Sequence, residues 1–563
     1  ELVKAKELIG DAPYVETNIT KAIDLYREIA KQYPDDSLSL FNIGVIYETN
    51  KFGKFDYVLS KQYSLLAAMK GNQIAQFTAG YLYGNKLVTT ADVAAVRGLI
   101  EELYFSQSTD DTESTEVNNE GELSDEVLEQ QIIAAIDKEE FAEFQKNNRI
   151  LYEQLSSQIV NLDSDALAIA YYFPSALSGN FKSLIALGYR HLYGYGVPKS
   201  CTTAAYYYQQ AAQQVKSEFE EGMIPMIEKV RLTDDVAREQ KQNQDDVMEY
   251  YQYSADKGST SSQLIVGYAH MYGLRGFARN GELARQFFQR AADAGEPEAY
   301  AALGNMYWKG IGVVQSNETA YNLFRKGAEK GDAASQYGLG SMHLTGSIPP
   351  PPVEENVEQP ATEAVPNTAE GASEPTPVPE QKPLVQTGFT LVKDTKLAAS
   401  YFNMSANQGN LDAQYKLGVL YMTGIGVEQN YLQAIKYLSQ AAQQGQTLAR
   451  YHLGVLHKDG LGTPKNCNAA VKFFKHVVER AAWLGVVDQA FENYSSGKDY
   501  HSALSTYQQC SELGVEVAQS NAAYMFDRGY GVKHFLGNES ANTEQLHRAL
   551  ELYKKAAEQG NVE

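Results

Sequence analysis

The sequence predicts an all-α protein, an α-solenoid of antiparallel helical hairpins, and three observations lead to that prediction. Two stretches repeat one pattern, AYAALGNMYWKGIGV from Ala299 and AQYKLGVLYMTGIGV from Ala413. The central glycine of the pattern recurs at a fixed spacing, as between Gly304 and Gly340, which lie 36 residues apart. The length of 563 residues is too great for one compact core, so an elongated array of repeats accommodates it.

Each repeat divides into two helices. The first carries small and apolar residues at helical spacing and ends at a Gly-x-Gly turn, as at Gly424 and Gly426. The second carries Ala434 and Tyr437 and ends at Gly445, where a glycine can adopt the left-handed conformation that closes a helix. The small residues let the paired helices approach closely.

One glycine of the first helix recurs through the array and is expected to be structural. Its positions are Gly188, Gly267, Gly304, Gly340, Gly418 and Gly454. The residue four positions after this glycine is a candidate for a partner-binding surface, although buried packing is the stronger expectation. The candidates are Met271, Trp308, Leu344 and Met422.

Breaks in the repeat indicate the domain organisation. Residues 101–140 hold fourteen acidic side chains against one lysine, and residues 347–391 hold ten of the seventeen prolines. The first composition is typical of a solvated loop with a possible helix, and the second of an extended, disordered excursion within one repeat. We therefore expect the following segments: divergent repeats at 1–100, an acidic insertion at 101–150, repeats at 151–346 with an insertion at 213–244, a proline-rich loop at 347–391, and repeats at 392–563.

Charge and hydropathy exclude some classes of partner. The formal net charge is −22, whereas a nucleic-acid-binding face needs clustered Lys and Arg. No run of eighteen apolar residues is present, so the sequence predicts no membrane span.

Four of the nine histidines occupy one column of the repeat, three residues after its glycine. Tyrosine holds the same column in other repeats, as at Tyr307 and Tyr421. We therefore expect packed interface rings and not metal ligands. These histidines are His191, His270, His343 and His457.

Other candidate chemistry is sparse. The spacings that carry metal hydrolysis, acyl transfer or phosphate binding are missing from the sequence, and the Gly-x-Gly turns close helices where a dinucleotide fold would need a preceding strand. The sequence thus predicts no enzyme activity, cofactor or metal. Cys201 and Cys467 each follow a repeat glycine by thirteen residues, which favours two equivalent packed thiols over a bonded pair.

Five Asn-x-Ser/Thr triplets are candidate N-glycosylation sites if the chain is secretory. We expect Asn317 and Asn538 to be exposed loop sites, while packing beside Tyr401 and Phe402 would hinder a glycan at Asn403. The complete set is Asn18, Asn317, Asn403, Asn493 and Asn538.

The repeat resembles the SEL-one-like family, relatives of the tetratricopeptide repeats. Three longer stretches resemble more specifically the luminal members of Hrd-type ubiquitin ligase complexes of the endoplasmic reticulum. They are ALGYRHLYGYGVPKSC from Ala186, VVQSNETAYNLFRKGAEKG from Val313 and GVEVAQSNAAYMFDRG from Gly514. The resemblance covers roughly residues 160–563, and residues 1–150 match only loosely.

The resemblance implies a non-enzymatic adaptor in the lumen of the endoplasmic reticulum. It would recruit misfolded glycoproteins and a lectin partner to a membrane RING ubiquitin ligase and stabilise that ligase, with its membrane anchor in a segment absent from this chain. Two other classes remain open: a generic SEL-one-like signalling or assembly scaffold in the cytosol, and a glycan-processing hydrolase, which needs two inward carboxylates at a fixed separation.

Overall fold

The structure is a computed structural model, and the residues that it describes are 16–33, 36–48, 56–104, 164–220, 230–233, 244–274, 277–347, 393–497, 499–532 and 541–561. Most of the acidic insertion and, apart from Ser347, the whole proline-rich segment lie outside these residues. The solvated loop expected within 101–140 and the disorder expected at 347–391 therefore stay predictions.

Every regular element among the described residues is helical, which confirms the predicted all-α class. In chain order the α-helices are α1 (Glu16–Gln32), α2 (Ser37–Glu48), α3 (Tyr57–Met69), α4 (Gln73–Gly84), α5 (Thr90–Tyr104), α6 (Ser164–Leu177), α7 (Phe181–Tyr193), α8 (Cys201–Gln214), α9 (Lys216–Glu220), α10 (Gln244–Asp256), α11 (Thr260–Tyr272), α12 (Gly281–Asp293), α13 (Pro297–Lys309), α14 (Asn317–Glu329), α15 (Ala333–Thr345), α16 (Thr395–Asn407), α17 (Leu411–Thr423), α18 (Tyr431–Gln443), α19 (Thr447–Asp459), α20 (Cys467–Val478), α21 (Val486–Ser495), α22 (Tyr500–Glu512), α23 (Glu516–Arg528) and α24 (Ala541–Glu558). A short 3₁₀ helix at Ala482–Gly485 precedes α21.

The hairpin of α17 and α18 shows how the sequence sets the boundaries of each helix. Asn410 caps the start of α17 by accepting a hydrogen bond from the backbone of Ala413, and Gly424 ends the helix in the left-handed conformation with φ +76°. Asn430 then caps α18 in the same way. Because a polar cap and a left-handed glycine recur at these points, most hairpins have helices of the same length.

The second glycine of the Gly-x-Gly turn brings neighbouring repeats into contact. A Cβ atom on Gly426 would lie 2.2 Å from the backbone oxygen of Thr395, at the start of the preceding repeat's second helix. Gly531 approaches the backbone of Tyr500 equally closely, and its φ is +73°. Only glycine satisfies both the positive φ and this backbone approach. The turn thus sets the stacking of adjacent hairpins as well as closing one helix.

Two hairpins form across segments that lie outside the described residues. α4 packs against α6, and a Cβ on Gly80 would lie 2.6 Å from the ring of Tyr172. α15 likewise packs against α16, with Gly340 facing Phe402. In sequence, the acidic and proline-rich segments therefore lie between the two helices of a repeat. An insertion at this point leaves the pairing of the two helices intact.

The chain divides into two compact units. We call residues 242–452 the continuous unit and residues 1–241 together with 453–563 the discontinuous unit. The continuous unit contains α10 to α18 and the first half of α19. In the discontinuous unit, helices from distant parts of the chain meet, and α8 packs against α20.

Part of the predicted insertion at 213–244 belongs to the discontinuous unit. Leu232 donates its backbone N–H to the side chain of Asn521, whose amide donates to the carbonyl of Val230. Arg231 forms an ion pair with Glu516 at 3.2 Å. These contacts hold residues 230–232 on α23.

Candidate partner-binding site

The repeat glycines lie where the two helices of a hairpin are closest. A Cβ on Gly304 would lie 2.7 Å from the ring of Phe324 on the facing helix, nearer than real Cβ contacts allow. The other predicted positions face a large side chain in the same way: Gly188 faces Tyr208, Gly267 faces Phe288, Gly340 faces Phe402, Gly418 faces Leu438 and Gly454 faces Phe474. These glycines support the hairpins and are unavailable to a partner.

The histidine column is packed as predicted. His457 stacks on Phe473 with ring centroids 5.6 Å apart and an angle of 23° between the planes. Tyr421 stacks on Tyr437 in the same place, with centroids 5.8 Å apart. The remaining stacked pairs are His191 with Tyr207, His270 with Phe287 and His343 with Tyr401. The prediction of interface rings is confirmed.

The four candidate surface residues are less exposed to solvent than a binding surface requires. Met271 is 1% exposed and belongs to the core of its repeat, so it is unavailable to a partner. Trp308 and Leu344 are half-buried and pack against neighbouring apolar clusters. Met422 is half-buried as well. Only part of each of these three side chains remains accessible.

A more open apolar surface lies on α6. Five apolar residues at helical spacing are exposed on one face, and Phe173 and Leu177 expose 49% and 73% of their surface. The opposite side of the helix is buried and includes Tyr172. We call this surface the α6 face, and it comprises Ala166, Ala170, Phe173, Pro174 and Leu177.

Sequence reasoning missed the α6 face, although a signal was present. The helix reads SDALAIAYYFPSAL and has charge only at Asp165, in its first turn. A solenoid helix normally has one apolar side and one polar side. A helix that is apolar on all sides exposes apolar surface unless another segment or a partner covers it. Contiguous exposed apolar surface is typical of protein-binding sites.

A buried ion network joins the two chain segments of the discontinuous unit. Arg190 and Glu512 are each 2% exposed, and Arg190 Nε donates to Glu512 Oε1 at 2.7 Å. Arg190 also donates to Asp165 at 2.8 Å. Burial disfavours the charge on Arg190, but Glu512 and Asp165 outweigh burial and raise its pKa. Arg190 therefore stays protonated between its two acidic partners.

A cavity of about 260 Å³ adjoins this network. Its carboxylates have partners: Glu551 pairs with Lys86 at 3.2 Å, and Glu558 accepts a hydrogen bond from Tyr195. A general acid needs a carboxyl group whose pKa is raised towards neutrality, whereas Lys86 and the other neighbouring cations lower the pKa of Glu551 against the effect of burial. These carboxylates thus form the paired contacts that are typical of a structural role.

The structure corrects the prediction for two of the cysteines. Cys201 and Cys467 form a disulfide, with their Cα atoms 6.0 Å apart and a sequence separation of 266. Their shared repeat column suggested separate, equivalent thiols, but the packing of α8 against α20 brings the two equivalent positions together. Cys510 is free and buried, and burial raises the pKa of its thiol to about 12.

The structure places the candidate glycosylation sites differently from the sequence prediction. Asn317 is the first residue of α14 and half-buried, not an exposed loop residue, because Ser316 caps the helix directly before it. Asn403 is exposed on α16, so packing does not cover it. Asn493 is half-buried on α21. Asn538 and the side chain of Asn18 lie outside the described part of the chain.

Two surveys of the described residues concern membranes and metals. No described helix has the length and apolar character needed to cross a bilayer. Within the same residues, no three His, Cys, Asp or Glu side chains converge as ligands of a metal ion would.

Comparison with known proteins gives a family match over more than half of the chain. The Sel1 repeat matches nine segments, at residues 8–33, 182–215, 260–296, 297–332, 333–359, 385–410, 411–446, 447–475 and 517–561. Six of these segments, 182–215, 260–296, 297–332, 333–359, 411–446 and 447–475, contain the repeat glycines Gly188, Gly267, Gly304, Gly340, Gly418 and Gly454.

Several characterised proteins are similar in sequence. The ERAD-associated E3 ubiquitin-protein ligase component HRD3B of Arabidopsis thaliana is 33% identical over 407 residues, which cover 71% of this chain and 53% of HRD3B. Protein sel-1 homolog 2 of Homo sapiens is 32% identical over 141 residues, 24% of this chain and 20% of that protein. This chain therefore spans about half of HRD3B.

One solved structure with a similar repeat is c5321, a protective antigen of uropathogenic Escherichia coli that displays an SLR fold. It is 19% identical, covers 96% of this chain and 91% of its own, and has a TM-score of 0.29, too low for any comparison in detail. The repeat pattern, the helical hairpins and the nine matched segments lead to one conclusion: the chain belongs to the Sel1 repeat family.

Proposed function

We propose that the chain is a luminal scaffold of an endoplasmic-reticulum-associated degradation complex. In this proposal it recruits misfolded glycoproteins and a lectin partner to a membrane RING ubiquitin ligase and stabilises that ligase. One observation carries the proposal: HRD3B, an ERAD-associated ubiquitin ligase component, is similar to 71% of the chain.

The disulfide supports a luminal location over the alternative, a cytosolic signalling or assembly scaffold. Cys201 and Cys467 are only half-buried, so cytosolic reductants would reach the bond between them. Disulfides form and persist in oxidising compartments such as the endoplasmic reticulum. The exposed Asn403 gives this location a direct test, because only a luminal chain acquires an N-glycan.

A scaffold is also favoured over a glycan-processing hydrolase. Such a hydrolase needs one carboxyl group with a raised pKa opposite a second carboxylate. In the cavity of the discontinuous unit, Glu512 is ion-paired with Arg190 and Glu551 with Lys86. The neighbouring cations lower the pKa of Glu551 against the effect of burial, which makes it a poor proton donor near neutral pH.

The α6 face is the surface that we propose for client binding. It is free of charged side chains, and Phe173 and Leu177 offer large apolar groups to solvent. Misfolded proteins expose apolar segments that native proteins bury, so this chemistry suits them. Trp308, Leu344 and Met422 remain secondary candidates, because they keep only part of their surface accessible.

Client binding is tested with a reduced and alkylated glycoprotein, which stays unfolded, against the same glycoprotein in its native form. We expect this chain to bind the unfolded form and the variants Phe173→Ser and Leu177→Ser to bind it more weakly. Val58→Ser is the matched control, because Val58 is 52% exposed on α3, outside the α6 face. Equal binding of native and unfolded glycoprotein, or equal loss in the control, contradicts the proposal.

Location is tested by expressing the chain with a secretory leader and mapping glycans by mass spectrometry. We expect an N-glycan at Asn403, which the folded chain leaves exposed, and propose further sites at Asn317, Asn538, Asn18 and Asn493. Asn403→Gln should remove one glycan and leave binding unchanged. A chain without any glycan contradicts the luminal proposal.

A further inference from the structure

The disulfide joins two equivalent positions, each at the start of a helix. Cys201 is the first residue of α8 and follows its cap Ser200, while Cys467 is the first residue of α20 and follows its cap Asn466. A helix N-terminus carries partial positive charge and unpaired backbone N–H groups. Both sulfur atoms therefore lie where a thiolate is stabilised.

A lysine also lies close in sequence to each cysteine. Lys199 and Lys465 each precede a cysteine by two residues, in the stretches PKSC and PKNC, and both are exposed. Neighbouring cations and helix N-termini lower the pKa of a cysteine thiol. In thiol–disulfide exchange, a sulfur with a lower thiol pKa is the better leaving group.

The bond is also accessible from solvent. Both cysteines are half-buried, and Asn468 beside them is exposed, with its Oδ1 atom 3.4 Å from the Sγ atom of Cys201. Cys510 provides a contrast within the same chain, because it is buried and burial raises the pKa of its thiol to about 12. The chain thus holds one buried thiol and one accessible disulfide between two cysteines at helix N-termini.

We propose that the disulfide between Cys201 and Cys467 is a site of thiol–disulfide exchange with a dithiol of the oxidoreductase class. A thiolate of the dithiol attacks one sulfur, and the other cysteine leaves as a thiolate. The second thiol of the reagent then resolves the mixed disulfide. Two electrons pass to the disulfide, giving two cysteine thiols and one oxidised dithiol. The proposal rests on the disulfide's surroundings and is independent of the proposed function.

Exchange would change the connectivity of the discontinuous unit without unfolding it. The bond ties the chain segment before the continuous unit to the segment after it. Non-covalent contacts hold the same part of the unit together, since α8 packs against α20 and Lys458 of α19 donates to Gln209 of α8 at 2.8 Å. Reduction therefore leaves α8 beside α20 but removes the covalent restraint.

The first test measures how fast dithiothreitol reduces the native chain, by trapping free thiols with an alkylating reagent and weighing the product. Asn468→Asp places a negative charge beside the sulfurs and should slow reduction about two- to fivefold, while Asn468→Lys should speed it by a similar factor. Leu432→Asp is the control, because Leu432 is the second residue of α18 as Asn468 is of α20, in a repeat without cysteine. It should leave the rate unchanged.

The second test measures the pKa of the Cys201 thiol directly, in Cys467→Ser, from the pH dependence of alkylation. We expect a pKa below the ordinary value of about 8.5 and a circular dichroism spectrum like that of the original chain. Cys510 should alkylate only after unfolding. A native disulfide that resists dithiothreitol until the chain unfolds, identical rates in both Asn468 variants, or a Cys201 pKa at or above the ordinary value overturns the proposal and leaves an inert structural bond.

Discussion

Gln444 donates a hydrogen bond from its side-chain amide to the side-chain oxygen of Gln414, 2.9 Å away. Gln414 in turn donates to the backbone oxygen of Ala406. These residues lie on three consecutive helices, with Ala406 on α16, Gln414 on α17 and Gln444 at the end of α18. One buried glutamine thus links a hairpin to the hairpin before it.

The link recurs with variations. Gln519 donates to the carbonyl of Ser511 and accepts from Gln559, and Gln336 accepts from Gln408. At the equivalent position, Tyr300 donates to the carbonyl of Ala292, and Lys330 lies over its ring. The polar contact between repeats is preserved although the residues differ.

We predict that Gln414→Ala destabilises the chain by about 1–3 kcal/mol, because the amide of Gln444 and the carbonyl of Ala406 both lose a partner. Urea denaturation followed by circular dichroism measures the change. Gln443→Ala is the matched control, since Gln443 is exposed on the same helix as Gln444, and it should change stability little. Equal effects of the two substitutions would show that the link contributes nothing.

The hydrogen-bonded link between hairpins is incomplete in one repeat, and we predict that completing it stabilises the chain. Gln263 donates to the carbonyl of Ala255, but its Oε1 atom is buried without a partner. The residue that ends α12, equivalent to Gln444, is Ala294. Ala294→Gln should supply the missing donor and raise stability by about 1 kcal/mol. The gain should vanish when Gln263→Leu is present, and a gain that survives there is unrelated to the link.

Close helix packing predicts opposite effects for two glycine substitutions. Gly304→Ala places a Cβ 2.7 Å from the ring of Phe324 and should lower the free energy of unfolding by about 1–3 kcal/mol. Gly98→Ala, on the exposed side of α5 with open space around it, should raise this free energy by up to about 1 kcal/mol. Denaturant midpoints of both variants give the comparison. A stabilising Gly304→Ala would refute the packing account of the repeat glycine.

The Arg190–Glu512 pair predicts strong coupling between two chain segments. Glu512→Ala leaves the buried guanidinium of Arg190 with only Asp165 as its ionic partner and should cost about 3–5 kcal/mol. The double variant Arg190→Met with Glu512→Leu removes both charges and should be far more stable than Glu512→Ala. Thermal unfolding of the original chain and the two variants measures this, and a double variant no more stable than Glu512→Ala would show that the pair is uncoupled.

His343 predicts a loss of stability in mild acid. It is 5% exposed, stacks on Tyr401, and neither ring nitrogen has a hydrogen-bond partner. Burial lowers the pKa of its imidazole, although Asp394 acts in the opposite direction. The unfolded chain therefore binds the proton first, and stability falls as pH drops below about 6.5, the pKa of an unperturbed histidine.

The variant His343→Phe, which keeps an aromatic ring beside Tyr401, isolates this contribution. We expect the stability difference between the original chain and the variant to be constant above pH 7 and to change in favour of the variant towards pH 5. Urea denaturation across this range measures it. Parallel pH profiles for the two proteins would contradict the assignment to His343.

The sequence predicted those features that recur within one repeat. Gly304 and its equivalents, the stacked histidines and the Gly-x-Gly turns all depend on neighbours in the same hairpin or the adjacent one, so the period reveals them. The disulfide between Cys201 and Cys467 and the pair of Arg190 with Glu512 depend on the folding together of distant repeats. A repeat pattern predicts contacts between adjacent hairpins only. Two residues at the same position of different repeats can be in contact or far apart, and the pattern does not say which.

Two other differences were local. Asn317 was expected in a loop, but Ser316 accepts a hydrogen bond from the backbone of Thr319 and starts α14 one residue earlier than the loop prediction allowed. The α6 face was missed because this helix lies outside the glycine-centred columns that predicted the hairpins. The signal was the helix cap before Asn317 in the first case and the missing polar side of α6 in the second. The period of the repeat shows neither feature.

Recovery of a membrane RING ubiquitin ligase tests the central claim most directly. The chain, made in the secretory pathway and joined to an affinity tag, is purified from mildly solubilised endoplasmic reticulum, and its partners are identified by mass spectrometry. The account predicts that the ligase and a lectin co-purify with both the original chain and Phe173→Ser. Misfolded glycoproteins should co-purify with the original chain and be recovered in smaller amounts with Phe173→Ser. A folded, glycosylated chain that recovers neither ligase nor lectin would contradict the account.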